Sequence, residues 1–241
     1  VAELVDDVSS IKELEFLGSI DTLEGVEQFT NLESLSVDGS DLTEVDVLKN
    51  LPNLKKLKLL NFNNLTDFSI FGTMDKLEEL SLDSENVRAL NFLSGMKSLK
   101  RLEITDAQIL SLDGIEDRPE LEALAVTSCD ELKNMDALGQ LTNLKELSLE
   151  LPYECSEPHL GNMTGLKHLS LSDFDVCSGL ESLSQLESLK LYSCNFSRSP
   201  DLSGLTNLKE LSYHSFAGTG LILSFITKLP ALEKLDMGGV S

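Results

Sequence analysis

Few side chains in this sequence are of a type and spacing that could carry chemistry. Three histidines stand at His159, His168 and His214, and none has the spacing of zinc ligands. No G-x-S-x-G, P-loop or G-x-G-x-x-G phrase occurs, and serines are many but fall into no Ser–His–Asp set by spacing. Asp38-Gly-Ser-Asp41 with Glu44 and Asp46 gathers carboxylates, but not in the D-x-D-x-D-G order of a calcium loop. The residues predict no enzyme, no cofactor and no metal. Recognition is what remains. His168, Lys190, Tyr192 and His214 mix two imidazoles, an ammonium and a phenol, the side-chain types that binding centres use. Small serines around them leave room for a partner's side chains.

These four residues share a face only because the chain repeats. An L-x-x-L-x-L phrase begins at Ile11, Leu32, Leu54, Leu77, Leu99, Leu121, Leu144, Leu166, Leu186, Leu208 and Leu232. The steps run from 20 to 24 residues, a period that signals a solenoid. Side chains alternate across a strand, so positions four and six of each phrase point inward and positions three, five and seven point out. His168 then takes position three, Lys190 position five, and Tyr192 and His214 position seven on adjoining strands. The second half of a coil closes over the same interior, as Val87, Leu90, Leu93 and Met96 show. One coil cannot bury these groups alone, so coils must stack and pair their strands into a parallel sheet. Eleven strands would span roughly 50 Å.

At this short period, Leu141-Thr-Asn-Leu144-Lys-Glu-Leu-Ser-Leu149 resembles the leucine-rich repeats (LRR) of bacterial internalins. It also resembles the LRR regulators of protein phosphatase 1 and kinetoplastid surface proteins with Cys at position nine. The resemblance implies an α/β fold: a curved horseshoe with a parallel sheet on its concave face and short turns or 3-10 segments on its convex face. It also implies protein binding through the concave sheet. Position nine, Asn or Cys in the consensus, reads Ser19, Ser40, Phe62, Glu85, Ala107, Cys129, Pro152, Phe174, Cys194 and Phe216.

Cys155 and Cys177 both fall at position twelve of adjacent repeats. Stacking would set their α-carbons roughly 5 Å apart, inside the disulfide range of about 4.4–6.8 Å. A disulfide there points to an oxidising compartment; two reduced thiols point to the cytosol, and the sequence leaves both open. Cys129 and Cys194 lie three coils apart, about 15 Å, and read as buried thiols.

The net charge of −22 counts against nucleic acid, whose phosphates need Lys and Arg. Residues 1–53 carry thirteen acids against Lys12 and Lys49, which fits either a basic partner near that end or a solvated acidic surface with no dedicated partner. No run of about 18 apolar residues is present to span a membrane. The whole of 1–241 reads as one solenoid domain. It starts inside a repeat at Val8-Ser-Ser-Ile11 and lacks polar caps, as expected of a piece of a longer protein.

Local departures carry further expectations. The longer Leu54 repeat should bulge at Asn61-Phe-Asn-Asn64. Glu85, at an inward position, should tilt into solvent rather than pair with a neighbour such as Arg88, since a buried unpaired carboxylate is costly. Arg118-Pro119 should make its coil irregular, and two prolines keep Leu151–His159 from being helical throughout. Leu221–Ile226 suggests a short convex helix. The chain thus reads as a secreted or surface binding module, with an intracellular scaffold as the alternative and a structural spacer as the third possibility.

Overall fold

Leucine at positions four and six, separated by one polar residue, makes a two-sided strand, and that strand recurs. In the computed structural model the strands are β1 (Glu13–Phe16), β2 (Ser34–Asp38), β3 (Lys56–Leu60), β4 (Glu79–Asp83), β5 (Arg101–Thr105) and β6 (Ala123–Thr127). They continue as β7 (Glu146–Glu150), β8 (His168–Ser172), β9 (Ser188–Tyr192), β10 (Glu210–His214) and β11 (Lys234–Gly238). The structure describes residues 8–18, 20–39, 41–116, 118–150, 157–174, 178–194, 201–214 and 226–238. All eleven strands pair in parallel, in sequence order, as one sheet. Register joins like positions: Leu80 pairs Leu102, which pairs Leu124, which pairs Leu147.

Most coils return through a short 3-10 turn, as at Asp46–Asn50, Ser69–Thr73, Asn91–Gly95 and Asp136–Gln140. The core is the column between strands and turns. In one coil it takes Leu77, Leu80, Leu82, Val87, Leu90, Leu93 and Met96, all buried. Each such side chain contributes about 1.5–3 kcal/mol by leaving water. The 3-10 turns stack so closely that a Cβ on Gly95 would lie 1.6 Å from the Gly72 carbonyl oxygen. Phe68, Phe71 and Phe92 pack beside them with ring centroids 5.9–6.0 Å apart. No helix among the described residues is long and apolar enough to cross a membrane.

Most strands end in a residue with left-handed backbone at position eight: Gly18, Asn61, Asp106, Ser128, Asp173 and Ser193 all have positive φ. That twist turns position nine inward, so Phe62, Ala107, Cys129, Phe174 and Cys194 are buried. The Leu77 coil departs from this. Ser84 lacks the positive φ and itself takes the inward place, 1% exposed, donating to the Phe62 carbonyl at 2.7 Å. Glu85 is thereby left in solvent, as expected. Asn61 bulges: Phe62 rather than Asn61 donates its N–H to the Asp83 carbonyl. The coil between β5 and β6 has no 3-10 turn among its described residues, which fits the Arg118-Pro119 interruption. Cys155, Cys177 and most of Leu221–Ile226 lie outside the described residues.

Candidate functional site

Positions three, five and seven form the outward face of the sheet. Its middle is floored by small side chains, Ala123, Ala125, Ser148, Ser170 and Ser188. Small residues make a trough there, a groove of about 390 Å³ running from β5 to β9 and bordered by Arg101, Glu146, His168 and Lys190. Arg101 reaches across β6 to Glu146, Nη1 to Oε2 at 2.8 Å, and roofs Ala123. Its guanidinium lowers the Glu146 carboxyl below the usual range. A second groove of about 250 Å³ lies over β2 to β5, with Lys56, Lys58 and Glu103 on its walls.

Toward the far ends of the strands the face becomes aromatic. Tyr192 and His214 occupy position seven of paired strands, and their rings stack with centroids 5.2 Å apart at 30°. Asp236 on β11 fixes the imidazole through His214 Nε2 at 3.2 Å. Register alone brings these three together, since each is 22 residues from the next.

The edge where strands begin holds two ladders. Position two carries Lys12, Glu33, Lys55, Glu78, Lys100, Glu122 and Lys145, then Lys167, Glu187, Lys209 and Glu233. Glu33 bridges Lys12 at 2.7 Å and Lys55 at 2.8 Å. Hydrogen bonds from those two ammonium groups lower its carboxyl to about 2. Lys100 meets Glu78 at 2.8 Å, Lys145 meets Glu122 at 2.6 Å and Lys209 meets Glu187 at 2.6 Å. The residue before position one forms the second ladder. Asn31, Asn53, Asn143 and Asn207 each donate a side-chain amide to a carbonyl of the preceding coil at 2.8–2.9 Å. The recurring Asn-Leu pair carries that signal in the sequence, although only stacking shows the acceptor.

At the other edge the two position-nine thiols serve the turns. Cys129 Sγ donates to the Thr127 carbonyl at 3.4 Å, and Cys194 Sγ to the carbonyls of Leu171 and Tyr192. Both thiols are free and buried, and burial pushes each up to about 11. They are not nucleophiles at neutral pH. Among the described residues, no three His, Cys, Asp or Glu side chains converge to hold a metal ion.

No protein-family model matches the chain, and no curated protein matches it. Solved structures do. An internalin C2 from Listeria monocytogenes str. 4b F2365 superposes with a TM-score of 0.63 at 23% identity, over 76% of this chain and 82% of that one. A TLR13–ssRNA13 complex gives a TM-score of 0.64 at 19% identity, over 95% of this chain and 40% of that one. The plant peptide hormone receptor RGFR1, in complex with RGF2, gives 0.60 at 16%, over 94% and 38%. The chain is a leucine-rich repeat solenoid.

On the concave face of this LRR sheet the four residues singled out from the sequence separate into two pairs. His168 and Lys190 border the central groove, at positions three and five. Tyr192 and His214 form the stack at position seven and do not line that groove. Arg101, Glu146 and the alanine floor escaped the sequence reading. Their signal was Ala123 and Ala125 at outward positions where other coils carry charged or hydroxyl side chains.

Proposed function

We propose that this LRR chain is a non-catalytic recognition region whose protein partner docks on the concave face. The Tyr192–His214 stack would be the anchor and the central groove the seat for the partner's smaller contacts. The observation that carries this reading is the stack itself: two rings on adjoining strands, half-buried, pinned by Asp236, beside a floor of small residues. A pre-ordered aromatic pair loses little entropy on binding and offers large contact area. The receptor in complex with RGF2 shows that the same fold can present a surface to a peptide hormone. Glu13, Glu15 and Asp38 on β1 and β2 suit a basic portion of the partner. The net charge of −22 counts against nucleic acid.

The test is photo-crosslinking from Ser212, between the stack and the groove, to recover the partner, followed by affinity measurement with Tyr192→Ala/His214→Ala. A loss of about tenfold or more is expected for a hot-spot pair; unchanged affinity removes the stack from the account. We place the protein outside the cell or on its surface. Alkylation of native protein decides this: a Cys155–Cys177 crosslinked peptide supports that placement, and two free thiols support an intracellular scaffold.

A further inference from the structure

The position-two ladder alternates in sign along the whole edge except at one step. Lys, Glu, Lys, Glu, Lys, Glu, Lys runs from Lys12 to Lys145, and Lys, Glu, Lys, Glu runs from Lys167 to Glu233. Between the two runs, Lys145 and Lys167 are neighbours. The N–H groups of Lys167 and His168 both donate to the Lys145 carbonyl, so the two lysines leave adjacent strands at the same level. Their strands lie about 4.8 Å apart. Everywhere else a cation on this edge has an acid on both sides, or on its only inner side. Here each lysine has an acid only on its outer side. Lys145 holds Glu122 at 2.6 Å, but Lys167 reaches only to 3.7 Å from Glu187, whose other oxygen is engaged by Lys209.

The two lysines do not line the central groove, but Glu146 and His168, the residues that follow them, do. His168 follows Lys167 directly and lines that groove with Lys190, which makes no ion pair among the described residues. In a chain of net charge −22, two neighbouring ammonium groups thus have no acid between them, next to the strands that floor the central groove.

We propose that the Lys145–Lys167 step receives an aspartate or glutamate side chain of the protein partner, which supplies the acidic rung that the chain omits. The inference rests on the concave-face reading above and adds the partner's chemistry. A carboxylate between the two ammonium groups accepts from both, and a segment running from there into the groove passes His168 and Lys190. Charge-assisted contacts of this kind fix register as well as adding affinity.

Selection of peptides from a random display library on the immobilised protein tests the proposal, with binding sites mapped by amide shifts in nuclear magnetic resonance spectra. The expected peptides perturb Ser148 and Ser170 and share an Asp or Glu. Changing that residue to its amide, or the protein to Lys145→Gln/Lys167→Gln, weakens binding about tenfold or more, and Lys12→Gln does not. Carbodiimide couples the peptide's carboxylate to Lys145 or Lys167. The double variant keeps its melting temperature, because the ion pairs to Glu122 and Glu187 that it loses are exposed and a like-charge contact is lost with them. Peptides that map to the groove without an acidic preference, and bind the double variant equally, overturn this proposal and leave the concave-face reading standing. Selected peptides that map only elsewhere overturn both. Displacement of the peptide by millimolar inorganic phosphate marks a free-anion site and overturns the assignment to a partner's side chain.

Discussion

The two edges of the sheet use the same repeat to opposite effect. Where strands begin, the period sets unlike groups side by side. Lys12, Glu33 and Lys55 share ion pairs, and Asn53 and Asn143 donate into the coil before them. Where strands end, the period sets like groups together. Asp38, Asp83 and Asp106 stand at or next to position seven and make no ion pair among the described residues. One carboxylate shows each outcome. Glu33 is lowered to about 2 by its lysines, whereas Asp83 is raised, first by burial and then by the charge of Asp106. A solenoid multiplies whatever its period juxtaposes. Alternation yields an edge where unlike charges adjoin at every step but Lys145–Lys167, and recurrence of one sign leaves Asp38 and Asp83 to the neutral donors of Asn61.

The largest expected effect lies away from both edges, at the 3-10 turns, where the coils touch backbone to backbone. Gly95→Ala would force a Cβ to 1.6 Å from the Gly72 carbonyl oxygen, so the two 3-10 turns must part. Loss of about 3 kcal/mol or more is expected, read as a fall in melting temperature. Gly139→Ala meets nothing within 4 Å and should leave stability within about 0.5 kcal/mol.

Acid should dismantle the starting edge in a defined window. A carboxyl lowered in the folded state adds stability above its unfolded pKa, and that stability is lost as pH falls through the folded value. For Glu33 the window runs from the ordinary carboxylate range, near 4.5, down to about 2. Glu78 and Glu187, lowered by Lys100 and Lys209, should follow in the same direction. Side-chain carboxyl shifts followed through the titration would check this. A concentrated salt solution should move Glu33 back toward its ordinary value, because its lysines are exposed. A Glu33 titration near 4.5 at low salt would mean that the pairs do not persist in solution.

The smallest effect has the opposite sign and belongs to the other edge. Asp83→Asn removes a charge that folding penalises, so at neutral pH it should stabilise, by less than about 1 kcal/mol. The gain should vanish as pH falls below the carboxylate range, where Asp83 is protonated in both states. A destabilised variant would show that the bond Asp83 makes with the Asn61 backbone outweighs the charge.

The fold was legible because its main signals are local. Leucine at positions four and six, one polar residue between them and a step near 22 residues require a strand buried on one side and a neighbour to bury it against. The outward placement of His168, Lys190, Tyr192 and His214 follows from the same alternation. The tilt of Glu85 was also legible, since an unpaired carboxylate could not remain inside. Its replacement by Ser84 was not, because that depends on a backbone twist at position eight that Ser128 and Ser193 adopt and Ser84 does not.

By itself the sequence determined the period and the inward and outward positions, which come from residue types at fixed short spacing. Only the tertiary structure decided which side chains meet. Tyr192 lies against His214 rather than His168, Arg101 reaches Glu146 across Ala123, and Lys145 faces Lys167. Such contacts join residues 22 to 45 apart, so their geometry exists only once coils have stacked in register.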